Sequence, residues 1–153
     1  MSAPRVTFQR LAHGRGLPLP RYMTPGAAGM DLPAAVEPDE EFIIEPGAIE
    51  VVPTGLAIAI PAGFEGQVRP RSGLAFSRGI GIINAPGTID SDYRGEIKIA
   101  LINLGPEPVG IRRGDRVAQL IIAPVAQAQL VEADELPPTE RGDGGFGHTG
   151  MKP

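Results

Sequence analysis

The 153-residue sequence predicts an all-β fold, a sandwich or barrel of short strands, on three observations. Two segments, Leu56 to Ile60 and Glu96 to Leu101, alternate with a period of two. Apolar residues make up 42% of the chain but aromatics only 5%, so a core must be built from Val, Ile, Leu and Ala, which suits sheet packing. The 21 Gly and 17 Pro have no period and fall between apolar segments, so they read as turn punctuation rather than disorder.

Taken in chain order, Phe42 to Ile44 is a candidate strand ended by Glu45-Pro-Gly. Leu56 to Ile60 puts Leu56, Ile58 and Ile60 on one face and is ended by Pro-Ala-Gly. Ser72 to Arg78 is the one stretch that invites a helix, short, with Ser72 able to cap a turn beginning at Gly73. Glu96 to Leu101 sets Ile97, Ile99 and Leu101 against Glu96, Lys98 and Ala100, and Arg116 to Ile122 is a further strand. After Leu136 the composition changes: Pro137 and Pro138 lead into RGDGGFGHTG, too glycine-rich to fold alone. The expectation is one domain, residues 1–136, with residues 137–153 as its flexible C-terminal lid.

A net charge of −4 gives no global basic footprint and argues against general nucleic-acid binding. With no Cys and two His, neither a disulfide framework nor a thiolate metal site is available. The N-terminal stretch lacks an apolar signal core, and no segment approaches the ~18 apolar residues of a membrane span, so a soluble, cytoplasmic protein is expected.

Five segments carry chemistry. Ala27-Ala-Gly-Met-Asp-Leu32 sets Asp31 among small residues at the start of a strand, where an Asp is by itself an ordinary turn or edge residue. Arg69-Pro-Arg-Ser-Gly-Leu-Ala75 places two guanidinium groups before a helix start, a combination suited to phosphate oxygens or simply to a solvated surface helix. Asn84-Ala-Pro-Gly-Thr-Ile-Asp-Ser-Asp-Tyr-Arg-Gly-Glu96 reads as a hairpin with accessible backbone at Gly87. There Asp90 or Asp92 could serve as base or metal ligand, Asn84 could read a base edge and Tyr93 could cover a flat group; the bland alternative is turn stabilisation. In Gly114-Asp-Arg-Val-Ala-Gln-Leu120, Gln119 falls on the face of Val117 and Ile121 and must find a hydrogen-bond partner, while the charged pair reads as structural. The Gly-rich segment from Arg141 to Gly150 lacks the Walker spacing; its Arg141 and Phe146 suggest a lid for a ligand with both a phosphate and a ring, a disordered tail being the common alternative.

In this order the five segments resemble the motifs of the trimeric dUTP pyrophosphatase family across residues 27 to 150. The resemblance implies a distorted jelly-roll β-barrel with one short helix, assembled as a homotrimer with three active sites at subunit interfaces. It implies hydrolysis of dUTP to dUMP and pyrophosphate by water attack on the α-phosphorus, assisted by Mg²⁺. It assigns Asn84, Gly87, Thr88 and Ile89 to the uracil edge, Tyr93 to the deoxyribose face and Asp90 to activation of the water. Arg71, Ser72 and Gly73 would hold phosphates, Gln119 a water or phosphate, and Asp31 the hydrated Mg²⁺. Lys98 lies where the family's backbone nears the nucleotide, Arg141 would reach the terminal phosphate, and Phe146 would stack on uracil. His148 departs from the small polar residue common at that point. A dCTP deaminase-like relative and a non-catalytic nucleotide-binding trimer are the competing readings; the Asp90-Ser-Asp-Tyr93 segment and the complete tail weigh against both. Neither a nucleic acid nor a membrane is expected as a partner.

Overall fold

The computed structural model describes residues 3–148 and 150. Its strands are β1 (Thr7–Arg10), β2 (Met30–Pro33), β3 (Phe42–Ile44), β4 (Ile49–Ala59), β5 (Phe64–Arg69), β6 (Ile80–Ile82), β7 (Gly87–Ile89), β8 (Glu96–Asn103), β9 (Val109–Ile111) and β10 (Arg116–Pro124), with one α-helix, α1 (Ser72–Arg78). Two four-stranded antiparallel sheets, ordered β1-β4-β8-β6 and β2-β10-β5-β7, face each other, and β3 with β9 makes a third small sheet. This is the all-β jelly-roll layout expected of the sequence. Among the described residues no helix is long and apolar enough to cross a membrane.

The period-two segments explain the core. Ile97, Ile99 and Leu101 of β8 meet Leu32 of β2, Val52 of β4 and Leu120 of β10 in one buried cluster. Leu101 is fully buried, so truncating it to Ala costs about 2–5 kcal/mol. The strand expected at Leu56 begins earlier, at Ile49, because a bulge between Pro53 and Ala57 hides its continuity from a simple alternation count. Gly55 within the bulge has φ +68°, and its carbonyl accepts a hydrogen bond from the Leu11 N–H at 2.8 Å. Thr54, buried at the same bulge, donates its hydroxyl to the Ile97 carbonyl.

Two local expectations are corrected. The helix has the expected bounds, but Ser72 is its first residue rather than its cap: Arg71 occupies the N-cap with extended backbone and makes no side-chain capping bond. The helix is stopped by Gly79 at φ +68°, whose N–H reaches the Ala75 carbonyl. The segment from Asn84 to Glu96 is not a hairpin either. Its flanking strands join different sheets, β7 pairing with β5 and β8 with β4 and β6, so the loop crosses from one sheet to the other.

Candidate functional site

The crossing loop creates a cavity of about 210 Å³ in the mouth between the two sheets. Asn84, Gly87, Thr88, Ile89, Asp90, Tyr93 and Lys98 all line it, with Val68, Ile82, Ile97 and Ile99 as its apolar wall. The strand pairing Gly87↔Val68 holds one rim of this slot and buries Gly87, contrary to the accessible backbone expected there. A Cβ at Gly87 would lie 3.3 Å from the Asn84 amide nitrogen, so the glycine leaves that amide its room. On the other rim the Tyr93 N–H closes a turn onto the Asp90 carbonyl at 3.1 Å, and the Tyr93 hydroxyl donates to the Glu96 carbonyl at 2.9 Å. A Cβ at Gly95 would lie 2.5 Å from the Tyr93 ring, so a side chain there would displace it. Among the described residues the exposed Asp90 carboxylate has no hydrogen bond or ion pair, which leaves it free to accept a proton from water at the cavity mouth. A slot with apolar walls, an amide at its edge and an unpaired carboxylate at its mouth can hold one planar ring and work on what extends from it.

A second group forms on β2, β10 and the end of β5, in the sheet that β7 closes at its far edge. Asp31 receives Arg116 at 3.0 Å and Arg71 at 3.3 Å, one guanidinium on each carboxylate oxygen. Arg71 also donates to the Arg116 carbonyl at 2.9 Å, and Gln119 donates its amide to the Pro70 carbonyl at 2.9 Å, supplying the partner its burial requires. Gln119 stands between Asp31 and Arg69 in the register of β2, β10 and β5. Ser72 and Gly73 open α1 directly after Arg71, where the first-turn N–H groups have no intrahelical acceptor.

Asp31 is set apart from the slot, since β2 lies three strand spacings from β7, roughly 14 Å, and Arg71, although it follows the slot-lining Val68 by three residues, does not line the ring slot either. The tail stands apart from both. Arg141 bonds to the Gly144 carbonyl, and Phe146 is fully exposed at φ +48°. Thr149 of the last motif lies outside the described residues.

Two residues of these groups escaped the sequence reading. Glu96 lines the slot, and Arg116 pairs with Asp31. Arg116 is signalled only by its place beside Asp115, which proves to be a turn residue accepting the Arg112 N–H at 2.8 Å. Glu96 carries no local signal, because its role depends on β4.

Among the described residues no three His, Asp or Glu side chains converge as a metal cage. An Mg²⁺ ion that arrives with phosphates keeps much of its water and needs only one or two carboxylates; Asp31, its two oxygens paired with Arg71 and Arg116, is the carboxylate of the second group that could serve one.

The sequence model of the dUTPase family matches residues 16–150. A deoxyuridine 5'-triphosphate nucleotidohydrolase of Sinorhizobium medicae is 59% identical over 148 residues, covering 97% of this chain and 92% of that protein. The same enzyme from Methylocella silvestris is 58% identical over 151 residues, with 98% and 94% covered. Among solved structures, a Staphylococcus bacteriophage 80alpha dUTPase with dUpNHpp superposes at a TM-score of 0.82 and 26% identity, covering 96% of this chain and 99% of the other. A dUTPase mutant from phage phi11 of S. aureus, solved with a structural Mg(II) ion, superposes at 0.77 and 23% identity over 88% of this chain and 99% of its own, a likeness of fold.

Proposed function

Because the chain belongs to the dUTPase family, we propose that it hydrolyses dUTP to dUMP and pyrophosphate, with the slot at Asn84–Tyr93 receiving the deoxyuridine. The observation that carries this reading is the slot itself: a ring-sized cavity with Asn84 at its edge, Tyr93 on its rim and unpaired Asp90 at its mouth. Uracil is read by Asn84 and the backbone of Gly87 to Ile89, with Lys98 near the nucleotide, and Tyr93 covers the sugar face where a 2′-hydroxyl would collide. Asp90 takes the proton of a water attacking the α-phosphorus, and pyrophosphate leaves. Arg71, the first-turn N–H groups at Ser72 and Gly73, and Gln119 hold phosphate oxygens, a role favoured by charge-assisted bidentate geometry. Arg71 would exchange Asp31 for a phosphate oxygen, and Asp31, still paired with Arg116 through its other oxygen, would hold the water shell of a bound Mg²⁺. When bound, Mg²⁺ neutralises phosphate charge that would repel the nucleophile.

A homotrimer is part of the same reading. The absence of Asp31, Arg71 and Arg116 from the slot lining within one chain supports it, as do the half-exposed Ile49, Val51 and Ile83 on the outer face of the β4-β8-β6 sheet. In that assembly the tail from residue 137 acts as a lid, Arg141 on the terminal phosphate and Phe146 on uracil, and its exposure in the isolated chain is consistent with this use. A cytoplasmic location follows from the pool in which such a substrate is found. Incubation with dUTP, dCTP, dTTP and UTP in the presence of Mg²⁺, with product identification, tests the proposal. Pyrophosphate and dUMP from dUTP alone are expected; deamination of dCTP, or binding without turnover, would overturn it.

A further inference from the structure

Tyr93 does not stand on the slot's rim unaided. Its hydroxyl donates to the carbonyl of Glu96, so the ring can be no better placed than the Glu96 peptide. That peptide is held from the far side of the sheet. The Glu96 carboxylate, only 13% exposed, accepts the Gly55 N–H at 2.9 Å and the His13 Nε2 hydrogen at 2.6 Å. Gly55 is available because the β4 bulge turns its N–H away from the ladder, and the carbonyl of the next residue, Ile97, is fixed by Thr54 of the same bulge. His13 sits on a 3-10 turn (Ala12–Gly14) packed so closely that a Cβ at Gly14 would strike the Gly55 carbonyl at 2.4 Å. Arg113 ties this turn down by donating to the carbonyls of His13, at 2.7 Å, and Arg15, at 2.9 Å.

We infer that Glu96, clamped by His13 and the Gly55 N–H, is a positioning residue for sugar selection: it fixes the carbonyl on which the Tyr93 hydroxyl rests and thereby the closeness of the ring to a bound sugar. The inference rests on the proposed sugar-facing role of Tyr93. A carboxylate accepting two hydrogen bonds at a largely buried site is a stiff anchor, whereas a Tyr hydroxyl bonded to a loosened loop could swing aside for a 2′-hydroxyl. Discrimination between sugars that differ by one hydroxyl needs this stiffness, since a wall that yields rejects little.

Specificity constants for dUTP and UTP, with melting temperatures, are measured for the wild-type protein, Tyr93→Ala, Glu96→Ala, Glu96→Gln and His13→Ala. Tyr93→Ala and Glu96→Ala are expected to lower the dUTP-to-UTP ratio by on the order of tenfold, and His13→Ala to lower it in the same direction by about threefold. Glu96→Gln, whose amide oxygen still accepts the Gly55 N–H, restores most of the ratio. A purely structural role would reduce both nucleotides together and leave the ratio in place. If Tyr93→Ala changes the ratio while Glu96→Ala and His13→Ala do not, the anchoring role is wrong and the reading of Tyr93 stands. If Tyr93→Ala leaves it unchanged, the sugar-facing role falls and the inference with it. Should Glu96→Ala fail to fold, the more exposed His13 decides: an unchanged ratio in His13→Ala overturns the proposal.

Discussion

Residues 84–98 and residues 137–148 are both rich in turn formers, yet they are held in opposite ways. In the first, Gly87 to Ile89 pair with Gly66 to Val68, and β8 continues the segment into the centre of the other sheet. In the second, the bonds among the described residues are short-range: Gly142 to Thr139, Gly144 to Arg141 and His148 to Gly145. Phe146 touches solvent on all sides, and Leu130, Val131 and Leu136 of the preceding stretch are almost as exposed. Glycine content therefore does not decide order here. What decides it is whether backbone donors and acceptors find a ladder and whether the apolar side chains find a core. The slot is formed by long-range strand pairing within the chain, whereas the described tail residues make only local contacts.

The sharpest way to break this comparison is at Asp90. Asp90→Asn keeps the shape of the side chain and removes the proposed base, so kcat should fall by ~10²-fold or more while dUTP still binds and the melting temperature holds. Near-normal turnover would remove Asp90 from the chemistry.

Truncation after Leu136 probes the other region. The sheets and their core lie before Pro124, so a folded protein with an unchanged melting temperature is expected, with kcat/KM for dUTP reduced by at least about tenfold. In co-assembled protein, the truncated chain and Asp90→Asn should rescue one another if the tail closes over a slot belonging to a different chain. Confirmed mixing without recovery would mean the tail serves its own chain.

A smaller effect is expected at Asp31→Asn. Losing the carboxylate releases Arg71 and Arg116 from their pairs and removes the proposed anchor for hydrated Mg²⁺. The Mg²⁺ concentration needed for half-maximal activity should rise by about three- to tenfold, with the apparent affinity for dUTP in the absence of the ion little changed. An unchanged Mg²⁺ titration would place the ion elsewhere.

The finest test is hydrogen exchange with and without a non-hydrolysable dUTP analogue. Amides of residues 141–148 should exchange fast in the free protein and slow on binding, whereas Ile97 and Ile99 of the slot wall, inside the central strand β8, should change little. Equal protection of both regions before ligand is added would erase the distinction.

By itself the sequence determined the fold class, the strands at Phe42, Glu96 and Arg116, the bounds of α1 and the loop segment that lines much of the slot, because each depends on residues near one another along the chain. Alternation of Ile97, Ile99 and Leu101 is a local pattern with one buried face, and most of the cavity wall comes from positions between Asn84 and Ile99. The tertiary structure alone decided the rest. The strand before Leu56 was hidden by the bulge at Gly55, whose left-handed turn makes sense only against Gly14 and Glu96. The loop after Ile89 had the turn residues of a hairpin, but a shared set of turn formers does not say which sheet each flanking strand will join. The pairing of Asp31 with Arg71 and Arg116 spans as much as 85 positions, a contact created by the order of strands in a sheet rather than by any spacing along the chain. Local chemistry is written residue by residue, whereas juxtaposition across a sheet follows from the burial of every strand at once, and no single segment carries that information.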